Sequence, residues 1–138
     1  MARILVAEDE EQLRGLVARA LLENGHDVVT AADGGAALDA LGRGGQFDLL
    51  LADIKMPVMD GIALALATAR DHPKVTILLM TGYADQRERA HGLNALIHDV
   101  IAKPLSVAGI REAVTSALLG AQGTAIPRDQ KSFNSRSI

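Results

Sequence analysis

The chain has 138 residues, enough for one domain with a substantial core, and its 49% hydrophobic and 22% charged residues are an ordinary globular balance. A net charge of −3 and only three aromatic residues (Phe47, Tyr83 and Phe133) argue against nucleic acid as a partner, which calls for basic patches and stacking rings. Cysteine is absent, which excludes a disulfide framework and thiolate chemistry. The apolar start is too short for a signal peptide and no stretch approaches a membrane span, so a soluble, cytoplasmic domain is expected.

Five apolar runs alternate with five helical patterns. The first strand is predicted at Ile4–Ala7. Leu13, Leu16, Val17, Ala20 and Leu21 then repeat at three and four, one face of a helix, with Glu10 and Glu11 at its positive end and Gly25 as its stop. Val28–Thr30 is the second strand. A helix over 35–41 follows, with Asp33 as its cap. Leu49–Ala52 is an unbroken apolar run, the mark of a strand buried on both faces. The Ala- and Leu-rich stretch 62–70 predicts a third helix that ends before His72-Pro73. Val75–Met80 is the fourth strand, 85–93 a short and mostly polar fourth helix, and Ile97–Ala102 the fifth strand. The stretch 106–119 keeps helical spacing through Val107, Ile110, Ala113, Val114, Ala117 and Leu118. Residues 121–138 turn polar and aperiodic, and are expected to form a flexible C-terminal tail after a domain spanning 1–120.

Strand–helix alternation with two-sided apolar strands implies an α/β fold: a five-stranded parallel sheet, doubly wound, with helices on both faces. In such sheets ligands bind beyond the carboxyl ends of the strands. Glu8 and Asp9 follow the first strand, Asp53 the third, Thr81 the fourth and Lys103 the fifth. Singly, each is an ordinary turn former or surface charge. Together they fall on one edge of the sheet. Three converging carboxylates repel one another and invite a cation. With oxygen ligands and no His or Cys among them, Mg²⁺ is the expected ion. A carboxylate can also act as a nucleophile and form an aspartyl phosphate. Lys103 and the Thr81 hydroxyl would then bind the phosphoryl oxygens that the metal leaves. Asp53, delivered by the most apolar strand, is the residue expected to meet the phosphorus.

The stretches AEDE, LLLADIKMPVMDG, LLMTGYAD and IAKP, in that order, resemble a response-regulator receiver (CheY-like) domain over essentially all of 1–120. The resemblance implies strand order 2-1-3-4-5 and a role for each residue. Asp53 is similar to the phosphoacceptor, Asp9 to the direct Mg²⁺ ligand, and Glu8 to the acid that reaches the metal through water. The Lys55 backbone carbonyl supplies a further ligand. Thr81 and Lys103 resemble the hydroxyl and the ammonium that bind the phosphoryl group, with the Pro104 peptide bond often cis. The implied donor is a histidine kinase or histidine phosphotransferase. More narrowly, DIKMPVMDGIALAL and ILLMTGYADQRERAHGL resemble the CpdR-type single-domain receivers of alphaproteobacteria. That subgroup implies a downstream protein partner in the ClpXP protease machinery, with phosphorylation turning substrate delivery off.

One position departs from the pattern. Many receivers carry an aromatic ring three residues before the lysine, where this chain has Val100, and Tyr83 is the only tyrosine that could take its place. Lys55 is expected to influence dephosphorylation by contacting phosphate or an acid. Four functions are compatible with such a sheet edge to different degrees. The first is a phosphorylation-controlled binding module with self-catalysed phosphoryl transfer and no separate substrate turnover. The second is a Mg²⁺-dependent aspartyl-phosphate phosphatase, disfavoured because Lys55 stands where such enzymes place a second Asp. The third is a nucleotide or flavin binder, disfavoured by the lack of a phosphate-cradling loop. The fourth is a DNA-binding regulator, which needs more than about eighteen tail residues to form a helix-turn-helix.

Overall fold

The computed structural model describes residues 1–122. Its strands are β1 (Arg3–Ala7), β2 (Asp27–Ala31), β3 (Leu49–Asp53), β4 (Thr76–Thr81) and β5 (Asp99–Ala102). The helices are α1 (Glu11–Glu23), α2 (Gly34–Gly42), α3 (Gly61–Asp71), α4 (Ala84–His91) and α5 (Val107–Gln122). All strands are parallel, in the order β2-β1-β3-β4-β5, so the expected architecture and strand order both hold.

Side-chain parity along the strands builds two cores. Leu5, Leu50, Ala52, Ile77 and Leu79 join one apolar cluster with α2 and α3 residues such as Leu41 and Leu64. Ile4, Val6, Leu49, Leu51, Leu78 and Met80 join the other, with Val17 and Leu21 of α1 and Ile110 and Val114 of α5. Successive residues of a strand point to opposite faces, so a sheet covered on both sides needs apolar residues at every position. All five residues of β3 are accordingly buried.

Helix ends follow the local chemistry. Asp33 and Asp60 cap α2 and α3 by accepting from the backbone N–H of Ala36 and Ala63 at 2.7 and 2.8 Å. Beyond α1, Gly25 takes φ +92, where a Cβ would be strained. Helix α4 buries only Ala90, fewer residues than any other described helix.

Some boundaries differ from the sequence reading. β5 starts at Asp99 rather than Ile97, because Ile97 still donates to Leu93 O in the turn after α4, although its side chain is buried. Val75 likewise closes a turn onto His72 O, so β4 starts at Thr76. α4 ends two residues early, at His91, with Gly92 as its C-cap. α5 runs to Gln122, so the proposed boundary at 120/121 falls inside its last turn. The rest of the expected tail lies outside the described residues. No described helix is long and apolar enough to cross a membrane.

Candidate functional site

The residues singled out at strand exits meet at the carboxyl edge of the sheet. Asp53 and Thr81 are the last residues of β3 and β4. Glu8 and Lys103 sit one residue past β1 and β5, and the ladder still holds them. Glu8 N–H donates to Ala31 O at 3.0 Å, and Lys103 N–H to Thr81 O at 2.9 Å. Their positions are therefore set by the sheet rather than by loops, which gives the site a rigid floor.

Glu8, Asp53 and Thr81 are 1%, 5% and 2% exposed, while Asp9 faces solvent. One carboxylate oxygen from each of Glu8, Asp9 and Asp53 lies within 4.8 Å of the others. Lys103 Nζ bridges two of them, donating to Glu8 Oε1 and Asp53 Oδ2 at 3.1 Å each. Glu8 Oε2 accepts from Glu10 N–H at 3.0 Å. Arg14, which the sequence did not flag, donates to the Glu8 carbonyl at 2.9 Å and braces the turn that carries both acids.

The electrostatics follow from burial. Desolvation pushes the Asp53 carboxyl above its ordinary range; Lys103 opposes the shift and Asp9 adds to it. Desolvation likewise raises Glu8, against the Glu10 backbone bond and with help from Asp53. Burial alone would lower the Lys103 ammonium, but its bonds to Asp53 and Glu8 outweigh that and hold it above its usual value. Three clustered carboxylates, two of them bonded to one ammonium, leave excess negative charge in a mostly buried place. An all-oxygen donor set of this kind fits a hard divalent cation such as Mg²⁺.

Thr81 Oγ1 accepts from the backbone N–H of Tyr83 at 3.1 Å, which leaves its own proton free to donate. The Lys103–Pro104 peptide bond is cis. With a cation held by the carboxylates to offset their charge, the Lys103 ammonium and the Thr81 hydroxyl could bind a tetrahedral oxyanion beside Asp53.

The response regulator receiver domain family model matches residues 4–115. The chain belongs to that family. It is the receiver of a two-component response regulator.

Among curated relatives, the receiver is 36% identical over 105 residues to the transcriptional regulatory protein TcrA of Mycobacterium tuberculosis, covering 76% of this chain and 41% of that protein. It thus spans well under half the length of the first relatives it matches. It is 40% identical over 84 residues to the response regulator receiver protein CpdR of Brucella abortus, covering 61% of this chain and 69% of CpdR. Among solved structures, the response regulator TrrA of Thermotoga maritima, crystallised with Mg²⁺ and BeF, matches with a TM-score of 0.77 and 30% identity, over 86% of this chain and all of that one.

The remaining sequence expectations find their places around this receiver site. The Lys55 backbone N–H bonds to the Asp53 carboxylate. Its side chain is exposed, and its ammonium sits over the Tyr83 ring, 4.8 Å from the centroid, rather than against an acid. Tyr83 is half exposed and is the N-cap of α4. Val100 is buried in the core, so no ring stands at that position of β5. Met56 is buried in the core and the partly buried Met59 packs against the same cluster, as a loop facing the core requires.

Two glycines have roles that the sequence did not reveal. Gly34 reads as loop punctuation, yet it opens α2, where an added Cβ would collide with the Met59 backbone. At Gly61 a Cβ would collide with the Asp53 carbonyl. Both glycines let the loop after Asp53 lie close against its neighbours. In the same loop Val58 has φ +72, a left-handed conformation that is strained for a β-branched residue. No local pattern announces these approaches, because each depends on where a distant backbone passes.

Proposed function

We propose that this receiver is a phosphorylation-controlled binding module whose phosphoacceptor is Asp53. The observation that carries the reading is the Lys103 bridge at 3.1 Å to both Glu8 and Asp53, inside a cluster of three carboxylates. In the reaction, an Asp53 carboxylate oxygen attacks the phosphorus of a phosphohistidine on a histidine kinase or phosphotransferase. The phosphorus–nitrogen bond breaks, and the departing imidazole takes up a proton.

Glu8, Asp9, Asp53 and the Lys55 carbonyl would hold Mg²⁺, which supplies charge neutralisation and orientation of the phosphoryl oxygens. Lys103 holds one Asp53 oxygen in place and offers positive charge to the incoming group. The Thr81 hydroxyl donates its free proton to a phosphoryl oxygen. The buried floor formed by Glu8, Asp53 and Thr81 limits water on the inner side. No turnover of a separate substrate is involved; the later hydrolysis of the acyl phosphate resets the domain. Phosphorylation then shifts a conformational equilibrium only as far as it interacts differently with the two states.

The 40% identity with CpdR, together with the stretches DIKMPVMDGIALAL and ILLMTGYADQRERAHGL, supports a CpdR-type role in the cytoplasm, with control of substrate delivery to the ClpXP protease.

Intact mass after incubation with acetyl phosphate tests the chemistry. Wild type should gain a single acid-labile phosphate only with Mg²⁺ present, and Asp53→Asn should gain none. An adduct that persists in Asp53→Asn would move the acceptor elsewhere. A pull-down with ClpX tests the output, with capture by the unphosphorylated form and release after beryllofluoride as the expected result.

A further inference from the structure

The Lys55–Tyr83 contact joins two loops at the mouth of the site. Lys55 lies two residues after Asp53 in the β3–α3 loop, and Tyr83 two residues after Thr81 in the β4–α4 turn. Tyr83 has two holds. Its ring carries the Lys55 ammonium at 4.8 Å, and its backbone N–H donates to Thr81 Oγ1 at 3.1 Å. It is also the N-cap of α4, where no side chain caps the free N–H groups. The helix has little else to fix its first turn, since its one buried residue, Ala90, lies in the last turn. Arg89 ties the later part of α4 to the β3–α3 loop through Asp60, at 3.3 Å.

We propose that Lys55 and Tyr83 form a clasp that holds the first turn of α4 and that a phosphoryl group on Asp53 opens. The inference rests on Asp53 as phosphoacceptor. Both holds on Tyr83 depend on groups that the phosphoryl group would attract. A full negative charge competes for the Lys55 ammonium better than the quadrupole of an exposed ring does. The Thr81 side chain, drawn toward the phosphoryl oxygen to which its hydroxyl donates, carries Oγ1 itself away from Tyr83 N–H and lengthens that bond. One event therefore weakens both contacts. The Arg89–Asp60 pair stays made, so loosening is confined to residues 84–87. Lys55 and Tyr83 are positioning residues: they act on α4, and the signal leaves the site through the β4–α4 turn, with no ring at Val100 required.

The chain has a single tyrosine and no tryptophan, so tyrosine emission reports on Tyr83 alone. The experiment compares full-length wild type, Lys55→Met, Lys55→Arg and Tyr83→Phe, with and without Mg²⁺ and beryllofluoride. It measures tyrosine emission, backbone hydrogen exchange at 84–91, and bound beryllofluoride by fluorine NMR. In wild type, beryllofluoride should change the emission and speed exchange at 84–87 more than at 88–91. Lys55→Met should exchange roughly two- to fivefold faster at 84–87 without any ligand, the range expected for loss of an exposed cation–π contact. Lys55→Arg and Tyr83→Phe keep a cation over a ring and should exchange as wild type does. Equal exchange at 84–87 in ligand-free wild type and Lys55→Met overturns the clasp, even if fluorine NMR shows beryllofluoride bound to wild type and the phosphoacceptor reading stands. Failure of wild type to bind beryllofluoride overturns both.

Discussion

The ammonium of Lys103 lies 3.1 Å from Asp53 Oδ2, joining residues fifty positions apart in the chain. It makes an equal contact with Glu8, so one cation spans the gap between β5 and the acids beside β1 and β3. Replacing it leaves two buried carboxylates without their counter-charge.

Lys103→Met should therefore slow phosphoryl transfer to Asp53. Loss of a charge-assisted hydrogen bond worth about 1.5–3 kcal/mol in the transition state corresponds to roughly 10- to 150-fold. Rates of phosphate incorporation from acetyl phosphate, followed by intact mass at saturating Mg²⁺, check this. A change of less than twofold would remove Lys103 from the reaction.

Asp53→Asn should raise stability at neutral pH when no metal is present. Burial lifts the Asp53 carboxyl above its ordinary value of about 4, so the folded state binds its proton more tightly than the unfolded chain does. The stability this group contributes is fully present below the unfolded pKa and is lost as pH rises through the folded one. The advantage of Asp53→Asn should accordingly shrink as pH falls through the raised folded value and be gone below about 4, the unfolded one. Mg²⁺ should reverse the order, since an ion that binds only the native state stabilises by about 2.7 kcal/mol at a hundred times its Kd. Thermal melts of both proteins from pH 3.5 to 7.5, with and without Mg²⁺, make the comparison.

Gly15→Ala and Gly61→Ala should move in opposite directions. Gly15 lies within α1 with nothing in the way of a Cβ, so alanine should stabilise by about 0.4–1 kcal/mol. At Gly61 the added methyl meets the Asp53 carbonyl, and the loop must move, at a cost of about 1–3 kcal/mol. Urea unfolding of each variant separates the two outcomes. Gly61→Ala should also slow phosphorylation, because the displaced backbone carries Asp53.

Val58→Gly should stabilise the domain. Val58 is 84% exposed, so little packing is lost, while relief of its left-handed backbone is worth about 1–2 kcal/mol, less the entropy that glycine adds to the unfolded chain. Val58→Asn tests the same strain with a smaller entropic correction. Loss of stability in both variants would mean that the Val58 side chain makes a contact the loop needs, with Gly35, against which a Cβ would approach Val58 Cγ1 at 3.1 Å, as the first place to look.

The sequence by itself determined the fold class, the ten elements to within a few residues, and the set of groups at the strand exits. These were legible because they are local. Apolar runs, helical spacing and caps such as Asp33 leave their mark within a few positions, and a parallel sheet places every strand exit on one edge. Asp53 at the end of the two-sided apolar run of β3 could have been a turn former on its own, and it stood out because Glu8, Asp9, Thr81 and Lys103 leave their strands on the same edge. Tertiary structure decided the rest: that Lys103 bridges Glu8 and Asp53, that Lys55 rests on Tyr83, that Gly34 and Gly61 admit a passing backbone, and that Val58 is strained. Each of these depends on where a second stretch of chain passes within a few ångströms, 25 to 95 residues away for the side-chain pairs and glycine contacts with Lys103, Lys55 and Gly34. Such approaches arise from packing two helical layers against one twisted sheet, and no periodicity in the sequence records them.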